Sequence, residues 1–363
     1  MLYDKDIVSM TSLLKTYMQR RIVMKYKSII QKPRVKFFEV ADGVFAGISP
    51  YRGISWANAG FINKGEGLVY DTFFDLFHAR EMRDAFKEVS NGGSPTYVVN
   101  SHYNSDHAWG NKVFEEACII MHKEAARERL TENIAWMDSV IRRGKDSPKS
   151  TQGERFFAAE FEGFNLEGVE WVHPNIEIKD DINIRLGDTE VMIYNVAPAH
   201  SDSDLLLWMP KEKVLFAGDV VFNGCTAYSE EGTLNWIKVL DRIIDDIKPE
   251  IVVPGHGAIC GMDFVKEQRD YLLNLISEFN KHYNDEIDSL SLTKQIDISR
   301  FLHWIQPERL YVTVDILLKS KRGLPSLPNW NEVPAKLEDM KAFLYEKYGD
   351  RIKPWDPMSV WQE

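Results

Sequence analysis

Residues 100–111 read NSHYNSDHAWGN. Within six positions stand His102, Asp106 and His107. Neutral imidazole and carboxylate are good ligands for zinc and for divalent iron. A further place in the same rhythm, where another histidine would fit, holds Asn104. Taken alone, the stretch has a second reading, because Asn and Ser are natural helix caps and NSDH could simply open a helix. That reading leaves three residues unexplained: His200 in APAHSDSD (197–204), Asp219 in FAGDVVF (216–222) and His256 in VPGHG (253–257). Each of the four places follows a β-type run, and each is followed by a break. Strand ends along one edge of a layered sheet converge, so loops there can gather groups distant in sequence.

The elements that must position these residues follow from periodicity. Short β-type runs occupy 35–70 (VKFFEV, VFAGIS, WANAGFIN, GLVY), broken by ADG and NKGEG. A helix is expected over 74–89, the strand PTYVVN over 95–100 and another strand over 117–122. Residues 123–168 read as mainly helical. Further strands are INIRL, TEVMIYNVA, DLLLWMP, KVLFAGD and EIVVP, with a helix over 232–247. From 262 onward the pattern is helical, with Leu272, Leu275, Ile276 and Phe279 on one face. Met10, Leu13, Leu14, Tyr17 and Met18 form a helical stripe before the break at Pro33. The organisation expected is an N-terminal helical segment (1–34), a catalytic domain (35–261) and a C-terminal helical extension (262–363). The strand runs look antiparallel, and with the interleaved helices they indicate a layered α/β architecture.

At these residues the chain resembles the metallo-β-lactamase superfamily. The family signature HxHxDH stands here as HYNSDH (102–107), followed by His200, Asp219 in GD and His256 in GHG. ANAGFINKGEGLVYDTFFD (57–75) resembles the family's opening hairpin. The resemblance covers roughly 36–260 and implies a four-layered αββα sandwich with the metals at one edge of two packed sheets. It implies a first metal site at His102, position 104, His200 and Asp219. A second site would use Asp106, His107 and His256, with Asp219 bridging. The cofactor expected is one or two zinc ions, with iron or manganese as alternatives. Asn104 departs from the pattern, since an amide oxygen is a poorer zinc ligand than imidazole. It either ligates weakly, leaves an open position filled by water, or leaves the first site empty.

The function expected is a metal-dependent hydrolase. A metal-bound hydroxide, oriented by Asp106, would attack an ester, thioester, lactone or amide carbonyl of a small molecule. Tyr228 is a candidate donor to the developing oxyanion. A mononuclear iron oxygenase resembling the persulfide dioxygenases is an alternative on His102, His200 and Asp219. A degenerate fold used only for binding is another. Tyr103, Trp109, Trp56, Phe73 and Phe74 are candidates either for substrate contact or for ordinary core.

Bulk properties narrow the partners. The formal net charge is −11, so a nucleic-acid partner is not expected. No apolar run approaches the roughly 18 residues that span a bilayer, so no membrane partner is expected either. The start MLYDKDIVSM lacks a secretory pattern. Three widely spaced cysteines make no disulfide framework or zinc pattern, and a cytoplasmic location is the simplest expectation. The stripes outside the family core could serve a homodimer or the pocket.

Overall fold

The β-type runs of the first third pair in chain order as β1 (Ser28–Gln31), β2 (Lys36–Ala41), β3 (Val44–Ile48), β4 (Ala59–Ile62) and β5 (Leu68–Tyr70), all antiparallel. The computed structural model describes residues 28–354, except 51, 52, 54, 126–132, 326 and 331. The helical stripe expected within 1–27 lies outside the described residues. Ser28–Gln31, at the end of the expected helical segment 1–34, is a strand and not helix. The turn at Pro33, closed by Lys32 N donating to Val35 O at 3.0 Å, folds it back on β2.

After α1 (Leu76–Val89), strands β6 (Tyr97–Val99), β7 (Cys118–His122) and β8 (Ile176–Ile178) extend the same sheet in parallel. A short helix, α2 (Ser105–Ala108), follows β6. Helices α3 (Ile134–Arg143) and α4 (Gln152–Glu160) lie between β7 and β8. Thr151 and Glu154 form a capping box that fixes the start of α4. The second sheet runs β9 (Ile182–Leu186), β10 (Thr189–Asn195), β11 (Leu205–Met209), β12 (Val214–Phe222) and β13 (Ile251–His256). Its last pair, β12 and β13, is parallel. Both sheets are therefore mixed, where the sequence suggested antiparallel pairing throughout. The helical crossovers α1 and α5 (Thr233–Arg242) return the chain to the same end of the sheet, which makes the next strand parallel.

Side-chain alternation sorts the core into layers. Leu205 and Leu207 of β11 face the other sheet, packing with Val44, Ile62, Val99, Val191 and Phe216. Leu206 and Trp208 face outward into a cluster with Trp236, Leu240, Leu272 and Leu275. On the far side, Phe61, Val69 and Val98 meet Ala79, Met82 and Phe86 of α1. The layers are thus helix, sheet, sheet, helix. Both faces of β11 are buried, which explains its unbroken run LLLWM. Among the C-terminal helices, α6 (Met262–His282), α8 (Leu310–Lys321) and α9 (Val333–Tyr348) contribute Leu310, Val314, Leu337 and Leu344 and others to the same outer cluster. A shorter helix, α7 (Ser289–Thr293), joins α6 to that group.

Candidate metal centre

Strand ends deliver every predicted ligand to one edge. His102 lies just past β6, Asp106 and His107 on α2, His200 past β10, Asp219 within β12 and His256 at the end of β13. The parallel pairing places Phe222 beside His256, and the β12 register shifts between Gly218 and Phe222, where Asp219 leaves the regular ladder. Gly218 has φ +49, and a Cβ there would overlap Ser101. Gly255 has no room for a Cβ because Asp219 Oδ1 occupies that space. The glycines of GD and GHG let the two strand ends close around one carboxylate.

Asp219 is the hub. His107 Nε2 lies 3.1 Å from its Oδ1. The Nε2 atoms of His256, His200 and His102 lie 3.3, 3.6 and 4.0 Å from its Oδ2. Asp106 Oδ2 stands 3.5 Å from His256 Nε2 and 3.7 Å from His107 Nε2. Donor atoms of His102, His107 and Asp219 fall within 4.8 Å of one another, as do those of Asp106, His107 and His256. His107 belongs to both groups and His200 joins through Asp219, so the six side chains form one continuous cluster.

The outer nitrogens are all anchored. Nδ1 of His200 sits 2.8 Å from Tyr228 O, and that of His256 3.1 Å from Trp56 O. Nδ1 of His107 sits 2.8 Å from Asp71 Oδ2, and that of His102 2.9 Å from Ser101 Oγ. Carbonyl oxygens only accept, so they place the proton of His200 and His256 on Nδ1 and leave the Nε2 lone pair facing inward. Asp71, at φ 60, is itself held by the Ser101 N–H at 2.6 Å and the Ser101 hydroxyl at 2.8 Å. Asp204 accepts from Ala199 N, Ser201 N and Ser201 Oγ, fixing the loop that carries His200. Asp71, Ser101 and Asp204 were not singled out from sequence. Their signal was present in YDTF, NSH and HSDSD, but short polar residues beside a motif look like turn formers.

Inward lone pairs around a buried carboxylate repel one another unless a cation lies among them. Nε2 of His102, His107 and His200 and Oδ1 of Asp219 are buried and make no hydrogen bond. This donor set of imidazoles and carboxylates fits a divalent ion of zinc or iron type.

Burial holds His102 well below the usual imidazole range, with His107 adding to the effect, and brings His200 down to about 4. Both stay neutral, as ligands must. Burial also pushes His107 down, but Asp219, Asp106 and Asp71 more than offset it and hold it well above its usual value. Asp219 is the reverse case. Burial raises it, yet His256 and His107 keep it well below the usual carboxylate range.

Asn104 stands at the N-cap position of α2, but its side chain makes no capping bond. Its Oδ1 is buried without a hydrogen-bond partner. The capping explanation for this residue therefore fails. Asn104 and Asp106 line a cavity of about 380 Å³, together with Tyr228, Glu230 and the aromatic residues Trp136, Phe157, Phe161 and Trp330. Tyr228 is buried, with the Arg309 guanidinium 4.4 Å over its ring. Burial and Glu230 raise its phenol well above the usual value, so it remains a protonated donor. The other aromatic candidates divide. Tyr103 donates to Glu230 Oε2 at 2.8 Å. Trp109 stacks on Phe74 at 5.1 Å, and Trp56, Phe73 and Phe74 are buried core residues that do not line this cavity.

The profile of the Metallo-beta-lactamase superfamily matches residues 57–256, more than half of the chain. The chain belongs to the metallo-beta-lactamase superfamily. It is similar to the acyl-coenzyme A thioesterase MBLAC2 of Bos taurus, 29% identical over 192 residues, covering 50% of this chain and 63% of that protein. The Homo sapiens protein of the same name is 28% identical over the same shares. A metallo-beta-lactamase type 2 of Bacillus sp. (strain 170) is 22% identical, over 42% of this chain and 62% of that one. The chain thus aligns with less than two thirds of the length of these relatives. Among solved structures, TMB-1 aligns over 67% of this chain and 98% of its own, with 18% identity and a TM-score of 0.48. The matched residues 57–256 contain all of the clustered histidines and aspartates and Asn104.

Proposed function

We propose that this superfamily member is a metal-dependent hydrolase of small acyl compounds, with thioesters as the leading substrate class. The observation that carries this is the convergence of four inward-facing imidazoles on Asp219 beside an aromatic cavity. His102, Asn104, His200 and Asp219 would hold one ion, zinc by preference with iron or manganese as alternatives. Asp106, His107 and His256, with Asp219 between, would hold a second. When bound, the metal supplies Lewis acidity toward a carbonyl and lowers the pKa of a bound water to about 7.

The protein's own groups do the rest. Asp106, on the cavity wall and within 3.5 Å of His256, orients the attacking water and takes its proton. Tyr228 donates to the oxygen that gains charge as the carbonyl carbon becomes tetrahedral. The bond from carbon to the leaving sulfur then breaks, and the thiol departs with the proton. The thioesterase relatives support the thioester reading. No helix of the described residues is long and apolar enough to cross a membrane. Three free cysteines are compatible with a reducing compartment such as the cytoplasm. The test is hydrolysis of acyl-coenzyme A and p-nitrophenyl esters by zinc-, iron- and manganese-loaded protein. Turnover that falls at least 100-fold in Asp106→Ala supports the reading. Loaded protein with no turnover on either class would overturn it.

A further inference from the structure

We propose that, within the hydrolase reading above, the aromatic cavity seats the acyl group of the substrate and not its leaving group. Trp330, from the C-terminal segment, sets the preferred acyl length. The cavity is chemically two-sided. Its polar lining includes Asn104, Asp106 and Glu230 with Ser55, Ser105 and Asn133; Trp136, Met137, Phe157, Phe161 and Trp330 form its apolar wall. The wall is continuous. Trp136 meets Phe157 edge-on at 5.5 Å, and Phe157 stacks on Phe161 at 5.5 Å. Trp330 touches Phe157 at 6.1 Å and Tyr228 at 6.3 Å, joining the wall to the candidate oxyanion donor. An acyl carbonyl placed beside Tyr228 and Asp106 therefore has an apolar surface next to it.

Polarity decides which half of the substrate enters. Among the described residues, no lysine or arginine lines the cavity. A leaving group carrying phosphates, such as coenzyme A, would lose its hydration against the aromatic wall. An acyl chain loses nothing by leaving water and gains apolar contact. At about 30 Å³ per heavy-atom group, about 380 Å³ holds roughly a dozen such groups. The reacting thioester takes several of these places, which leaves room for a chain of about six to ten carbons. Trp330 is half-buried on a loop, so truncating it should enlarge the cavity without removing a core residue.

The experiment compares coenzyme A thioesters and uncharged N-acetylcysteamine thioesters with acyl groups from two to sixteen carbons. Expected kcat/KM rises about fourfold per methylene and flattens near eight to ten carbons, with the same length profile for both leaving groups. Trp330→Ala should move the plateau to longer chains, and Trp330→Phe should restore it. Calorimetric binding of decanoate is measured separately, because it needs no turnover. Decanoate binding that Trp330→Ala weakens, in protein that hydrolyses nothing, would support the cavity assignment while sinking the hydrolase reading. Turnover that is independent of acyl length, with no decanoate binding, would overturn this proposal and leave the hydrolase reading standing.

Discussion

Asn104 stands where the sequence resemblance calls for a histidine, and its buried Oδ1 lies beside the cavity with no hydrogen-bond partner and no capping bond to α2. Asn104→His should therefore tighten metal binding at the first site by about tenfold or more, read by competition with a chromophoric chelator. Unchanged affinity would mean that position 104 does not face the metal. Tyr228→Phe removes one donor in a dry site. The expected loss is about 100-fold in kcat with KM within threefold, at the lower end of what such donors supply. An equal loss in KM alone would assign Tyr228 to substrate packing. Asp204, buried behind His200, has its carboxyl pushed up by burial to about 7 from 3.8. The native state therefore holds this proton more tightly than the unfolded chain. Its contribution to stability is full below about pH 4 and is lost as pH rises through about 7, with an upper bound of about 4 kcal/mol. Asp204→Asn can keep the two backbone contacts and reverse the third, so its urea stability should fall less between pH 5 and pH 8 than that of the native protein. Parallel curves would contradict this.

At the scale of elements, strand ends carry the account. The clustered histidines and aspartates were legible in the sequence because each follows a β-type run and precedes a break, as in PTYVVN before His102 and EIVVPG before His256. The layered sandwich was legible for the same reason, since LLLWM and VVFN-type runs demand burial on both faces. The parallel pairing of β12 with β13 was not, because it depends on where α5 returns the chain. Anchors such as the Tyr228 and Trp56 carbonyls were also hidden, because backbone oxygens leave no trace in residue type. Gly255 offers a sharp test of how the strand ends close. A methyl there meets Asp219 Oδ1, so Gly255→Ala should displace the hub carboxylate and reduce bound metal to below half of the native content. A folded variant with native metal content would show that Asp219 can move without harm.

Across the whole molecule, the site draws on chain segments far apart in sequence. Trp136 and Phe157 come from the helices between β7 and β8, and Trp330 from the loop before α9. Their meeting was not legible, because periodicity shows that a helix has an apolar stripe but not which cavity the stripe borders. The C-terminal helices share one core with the outer face of the second sheet, so the extension both stabilises that sheet and supplies part of the pocket. The central claim, that this assembly exists to hold a divalent metal for acyl hydrolysis, has one direct measurement. Elemental analysis of purified protein, paired with thioester turnover before and after chelation and reloading, reads both halves at once. The account predicts one to two metal equivalents per chain, activity lost on chelation and regained with zinc, iron or manganese, and both lost in Asp219→Ala. Metal below about 0.2 equivalents, with no change in activity or thermal stability on adding any of the three ions, would contradict it.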